Sequence, residues 1–138
     1  MKPQNQLLND KLGPKGTALY MAPEVMSQKP FDFKADVYSF GLILWELYTQ
    51  QELFIEFDDW DPFFEAIVTL HQRPEIPSTC IPSLASLMKK CWAHDPEDRP
   101  TFKEVLFRLD EIAVDCYLQP GEGKQFIDEA RNWWKVYI

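Results

Sequence analysis

The chain has 138 residues, 46% of them apolar and 14% aromatic, which is enough for one packed domain and excludes a largely disordered polypeptide. Its 14 Lys and Arg against 22 Asp and Glu leave a formal charge of −8, which repels nucleic-acid phosphate and anionic lipid and makes basic ligands the better-matched partners. Cys80, Cys91 and Cys116 are odd in number and lack CxxC spacing, a pattern that disfavours a disulfide framework or a zinc site and predicts three reduced, buried thiols.

Residues 1–16 are polar, contain no Ser, Thr or Tyr, and are broken by Pro3, Gly13, Pro14 and Gly16, so they read as loop. MKPQNQLLND has no apolar stretch of the signal-peptide kind and no run is long enough for a membrane span, which sets a cytoplasmic expectation. GTALYMAPEVM leads into a short helical turn opened by Pro23. Residues 35–48, ADVYSFGLILWELY, follow. As a helix this stretch puts Val37, Tyr38, Phe40, Leu42, Ile43, Leu44, Trp45, Leu47 and Tyr48 on every side, with Asp36, Ser39 and Glu46 as the polar interruptions. A helix apolar all round is expected to be buried all round. At roughly 21 Å it is too short for a bilayer core of roughly 30 Å, so it is predicted to be the central post of a mainly α domain.

TQQELFIEFDDWDP, residues 49–62, reads as an acidic loop with embedded aromatics. Asp61 and Pro62 then open a short helix with Phe63, Phe64, Ile67 and Leu70 on its apolar face. HQRPEIPSTCIP is too rich in proline for helix and is predicted to be an extended connector. From Ser83, the positions Leu84, Leu87, Met88, Cys91 and Trp92 define a helical face that ends in the HDPEDRP turn. Thr101 and Glu104 have capping-box spacing, and Phe102, Val105, Leu106, Leu109, Ile112, Ala113 and Cys116 carry the helix behind them. PGEG breaks it at 120–123, before a final helix with Phe126, Ile127, Ala130, Trp133, Trp134 and Tyr137 on one side. No repeat and no convincing strand is legible.

GTALYMAPE, DVYSFGLILWEL and LMKKCWAHDPEDRPTF resemble, in order and spacing, three signatures of the C-terminal lobe of eukaryotic protein kinases, and their wording resembles the tyrosine-kinase-like group of serine/threonine kinases. The resemblance implies a helical C-terminal lobe over residues 16–118, after an activation-segment remnant at 1–15 and before an extension at 119–138, with the N-terminal lobe of the kinase fold absent. It implies that Glu24, after Ala22 and Pro23, pairs with Arg99, which precedes Pro100. Asp36 would hold the catalytic loop, Gly41 and Trp92 would belong to the structural motif, and Thr17, Tyr20 and Met21 would dock the substrate peptide. Thr17 favours Ser/Thr acceptors, with dual specificity left open. Glu52, Glu56, Asp58, Asp59 and Asp61 would face the peptide and favour basic residues around the acceptor; read without the family, the same carboxylates form a solvated acidic loop.

A kinase also needs a glycine-rich phosphate loop, a strand lysine, an HRD-type loop and a DFG aspartate for magnesium. The sequence contains none of these. GEGK at 121–124 lacks the rest of a P-loop, and neither His71 and His94 nor Asp58, Asp59 and Asp61 have metal-ligand spacing. The chain alone is therefore expected to hold no cofactor and no catalytic residue, ATP and Mg2+ belonging to a complete kinase. Its expected partners are protein substrates, and Phe40, Ile43, Leu44 and Leu47, on the face of the central helix left uncovered, favour self-association. The alternative is a non-catalytic, kinase-like helical module that binds protein partners. QFIDEARNWWKVY is faintly similar to the segment that leads into a Src-homology 2 domain in some tyrosine-kinase-like enzymes.

Overall fold

The structure, a computed structural model, describes Pro14, residues 16–118, and Asp128 and Asn132. A 3-10 turn at Gly16–Tyr20 precedes α1 (Pro23–Met26) and α2 (Lys34–Thr49). α3 (Trp60–Phe64) runs directly into a π turn at Glu65–Thr69, and α4 (Pro82–Cys91), a 3-10 turn at Pro96–Asp98 and α5 (Phe102–Leu118) complete the order. No strand occurs among the described residues, as the mainly α reading requires. Of the final helix expected beyond PGEG they include only Asp128 and Asn132, which are helical and exposed.

The core is built on α2 and its crossing with α4, the most extensive helix pair among the described residues. Val37, Tyr38, Leu42, Leu44 and Trp45 of α2 meet Leu84, Leu87, Met88 and Cys91 of α4, and Val105, Ile112, Ala113 and Cys116 of α5 close one side. Gly41 permits the crossing, because a Cβ there would lie 2.8 Å from the Cβ of Cys91 and 3.4 Å from the backbone of Met88 and Trp92. α2 ends where Gln50 turns left-handed, with φ of 55°, and returns its N–H to the Glu46 carbonyl at 2.8 Å. All three cysteines are free and buried, as expected.

The central helix is not enclosed on every side. Asp36 is exposed, and Phe40, Ile43 and Leu47 are half-buried, whereas Leu44, expected in the uncovered patch, is buried at 2% exposure. The reason is that α4 and the first 3-10 turn cover part of the cylinder, and Phe40 packs edge-on against Phe102 at 5.9 Å.

α3 starts at Trp60, one residue before the expected Asp61, and Leu70 is 68% exposed instead of joining its apolar face. The π turn explains the second difference. Leu70 N–H reaches back five residues to the Glu65 carbonyl, so each residue turns through a smaller angle and the helical phase drifts away from the core. α4 begins at Pro82, where a missing amide proton costs nothing. The capping box of α5 forms as predicted, with Thr101 N–H on Glu104 Oε2 at 2.8 Å and Glu104 N–H on Thr101 Oγ1 at 3.2 Å. Leu106, placed on the buried face by its spacing, lies at that face's edge and is 41% exposed.

Candidate substrate-docking site

Pro23 starts α1 and turns Glu24, in the first helical turn, toward the interior. Arg99 arrives from the other end of the lobe, 75 positions later, in extended backbone after the Pro96–Asp98 turn. The two side chains meet fork to fork, Nη1 on Oε1 at 2.7 Å and Nη2 on Oε2 at 2.9 Å, with 8% of Glu24 and 1% of Arg99 exposed. Arg99 donates its remaining protons to three carbonyls: Nε to Ala93 at 2.8 Å, Nη1 to Lys34 at 3.0 Å and Nη2 to His94 at 3.1 Å. All the N–H groups of the guanidinium therefore have acceptors, the condition under which a buried charge is tolerated. Lys34 Nζ returns a bond to the Arg99 carbonyl.

The Tyr38 ring faces two guanidinium carbons, those of Arg99 and Arg73, each 5.1 Å from its centroid. Its phenol is buried without a partner, and burial pushes its pKa up to about 12 against the pull of both arginines. Arg73 donates to the carbonyls of Trp92 at 2.9 Å, Ile67 at 3.2 Å and Gln72 at 2.7 Å, tying the end of the π turn to the HDPEDRP turn. Across the same junction His71 and His94 stack with ring centroids 3.5 Å apart and planes at 19°. His71 is exposed, whereas His94 is half-buried with its Nδ1 buried and without a hydrogen-bond partner.

Between Gly16 and Glu24 the chain is pinned to α2. Tyr20 donates its phenol to Glu46 Oε2 at 2.6 Å, and its carbonyl accepts from Ser39 Oγ at 2.7 Å. Burial, then the bond and charge of Glu46, hold the Tyr20 pKa up at about 12, so the phenol stays a donor throughout the neutral range. Thr17 is exposed and Met21 half-buried on either side of this fastening. Asp36 presents its carboxylate at the surface of the same helix. Trp92 is buried, and the half-buried Pro100 follows Arg99.

The acidic residues Glu52, Glu56, Asp58, Asp59 and Asp61 are all exposed. They are carried by a small aromatic core in which Phe54, Phe57 and Trp60 pack on Phe63 at 5.2, 5.6 and 5.7 Å. The π turn that follows packs against α1, which links the acidic loop to the docking segment. The kinase resemblance singles out both groups of residues but says nothing of their fastenings. Ser39 and Glu46 stood out as polar breaks in an apolar helix, and with Asp36 they lie on one stripe, the signal that this side meets something polar.

The sequence lacks the phosphate loop, strand lysine, HRD and DFG motifs that hold nucleotide and magnesium in kinases. Among the described residues no three His, Cys, Asp or Glu side chains are grouped to hold a metal. No helix among them is long and apolar enough to cross a membrane.

A lobe with no strand among its described residues, in which a buried carboxylate–guanidinium pair ties α1 to the turn before α5, is the C-terminal lobe of the protein kinase fold. The chain belongs to the protein tyrosine and serine/threonine kinase family, which it matches over residues 3–109. It is 56% identical over 119 residues to dual specificity protein kinase shkE of Dictyostelium discoideum, covering 86% of this chain and 17% of that protein. It is 48% identical over 124 residues to shkD of the same organism, covering 90% of this chain and 16% of the relative. Serine/threonine-protein kinase STY46 of Arabidopsis thaliana is 42% identical over 112 residues, 80% of this chain and 19% of that kinase. The chain thus spans about a sixth of the two Dictyostelium relatives.

Proposed function

We propose that residues 16–118 are the peptide-docking part of an ATP-dependent protein kinase acting on serine and threonine, with tyrosine as a further acceptor. The observation that carries this reading is the double fastening of residues 20–24, Tyr20 to Glu46 at one end and Glu24 to Arg99 at the other, beside which Thr17 stands exposed. In this reading Thr17 meets the catalytic groups of the complete kinase domain, Tyr20 and Met21 shape the pocket beside the acceptor, and Asp36 holds the catalytic loop. ATP and Mg2+ bind to parts of the kinase domain outside this sequence, and no step of the transfer is assigned to the residues described here. The substrates are proteins met in the cytoplasm.

The acidic loop gives this site a preference for basic residues near the acceptor, because opposite charge raises local concentration and encounter rate. Charge reversal of the whole acidic loop, at Glu52, Glu56, Asp58, Asp59 and Asp61 together, is expected to shift peptide preference away from Arg and Lys; an unchanged preference removes the idea. For the main reading, the upstream kinase half of shkE is joined in frame to this chain and assayed on Ser, Thr and Tyr peptides. Phosphate transfer that Glu24→Gln abolishes supports it, and a folded chimera that binds ATP yet transfers nothing overturns it. The 138-residue chain alone is expected to show neither micromolar affinity for a fluorescent ATP analogue nor turnover.

A further inference from the structure

On the side of the acidic loop next to the proline-rich connector, Trp45, Phe54 and Pro74 line a groove of about 430 Å3 whose other walls are Glu52, Glu56 and Glu75. We propose that this groove is a docking pocket for an arginine side chain of a protein partner, separate from the Thr17–Met21 segment. The proposal refines the basic-substrate reading, on which it rests for the basic character of the partner: it assigns that selectivity to Glu52, Glu56 and Glu75 and not to Asp58, Asp59 and Asp61.

The groove is built into the fold. Trp45 Nε1 donates to the Glu75 carbonyl at 2.8 Å, which fixes the connector against α2, and Phe54 is held left-handed, φ 52°, inside the aromatic cluster. Its charge is one-sided. Between Lys34 and Arg73 the sequence has no lysine or arginine while eight carboxylates fall there. Arg73, the nearest cation in sequence, is turned inward onto three carbonyls. Among the described residues neither Glu52, Glu56 nor Glu75 enters an ion pair; Glu56 accepts one neutral bond, from Gln72 Nε2 at 3.1 Å. Unneutralised carboxylates beside an apolar lining suit a guanidinium, which takes bidentate bonds in its plane and lays a weakly hydrated face on apolar surface, better than a lysine ammonium, a strongly hydrated point charge without that fork. Ile55, 74% exposed and also lining the groove, offers an aliphatic contact to the neighbouring residue of the partner.

The test titrates the 138-residue chain with the capped peptide Leu-Arg-Arg-Leu and follows backbone amide shifts, with Leu-Lys-Lys-Leu and Leu-Gln-Gln-Leu as comparisons. Saturable shifts confined to residues 51–56 and 74–76, strongest for the arginine peptide, are expected. Glu52→Gln with Glu75→Gln should weaken binding about tenfold or more, while Asp58→Asn with Asp59→Asn leaves it within about twofold, because neither residue lines the groove and both are exposed to screening solvent. Far-ultraviolet circular dichroism checks that both variants fold. No saturable shift at these residues, equal binding of the lysine or glutamine peptide, or an equal loss in both double variants overturns the pocket. A loss only in the Asp58/Asp59 variant overturns it too, and leaves the broader acidic-loop reading standing.

Discussion

Arg99 is the residue on which the lobe's two ends depend. Its guanidinium has an acceptor for each proton, and removing one partner strands a charge in a place water does not reach. Glu24→Gln is therefore expected to lower stability by about 3–5 kcal/mol, read as an earlier denaturation midpoint. Arg99→Lys should fare little better, because an ammonium keeps the charge and loses the fork. His94 makes a second prediction. Its pKa is held below the ordinary 6.5 by burial first, then by the charges of His71, Arg73 and Arg99, with Glu24 opposing them. The unfolded chain binds the proton near 6.5 and the folded one only at lower pH. The stability is thus complete above about 6.5, is lost as pH falls from there to the folded value, and then levels off. Chemical denaturation across that range should show a flatter profile for His94→Gln, and an unchanged slope would remove the assignment. The ion pair was legible because APE and RP are family signatures. The histidine stack was not, since nothing in a spacing of 23 residues tells that a π turn and a loop will bring two rings face to face.

At the level of elements, the α2–α4 crossing sets the tightest condition. Gly41→Ala places a methyl against the Cβ of Cys91 and two backbone positions, so the helices must part. A cost of about 1–3 kcal/mol is expected, measured as a lower thermal midpoint. Cys91→Ala should not relieve it, because alanine keeps the offending Cβ. The strongly periodic helices α4 and α5 were readable almost to the residue, since their apolar spacing and capping chemistry are local. α3 was not. Its continuation as a π turn changes the angle per residue, and with it the fate of Leu70, for reasons that lie in the packing of Ala66 and Ile67 on the core.

On the scale of the whole chain, the half-buried Phe40, Ile43 and Leu47 and the exposed Phe31 and Phe33 leave apolar surface on and before α2. Sedimentation velocity of the 138-residue chain is expected to show concentration-dependent association that weakens when Phe31 and Phe33 become serine, and a monodisperse monomer at every concentration would refute it. By itself the sequence determined the helical class, the cap of α5, the buried thiols and the kinase signatures, all of which rest on neighbours within a turn or two or on motif wording. Only the tertiary structure decided which side of α2 stays open, how Tyr20 and Ser39 fasten the docking segment, and that Glu52, Glu56 and Glu75 share one groove. Those outcomes depend on contacts between residues far apart in the chain, and side-chain periodicity specifies a face without naming what will cover it.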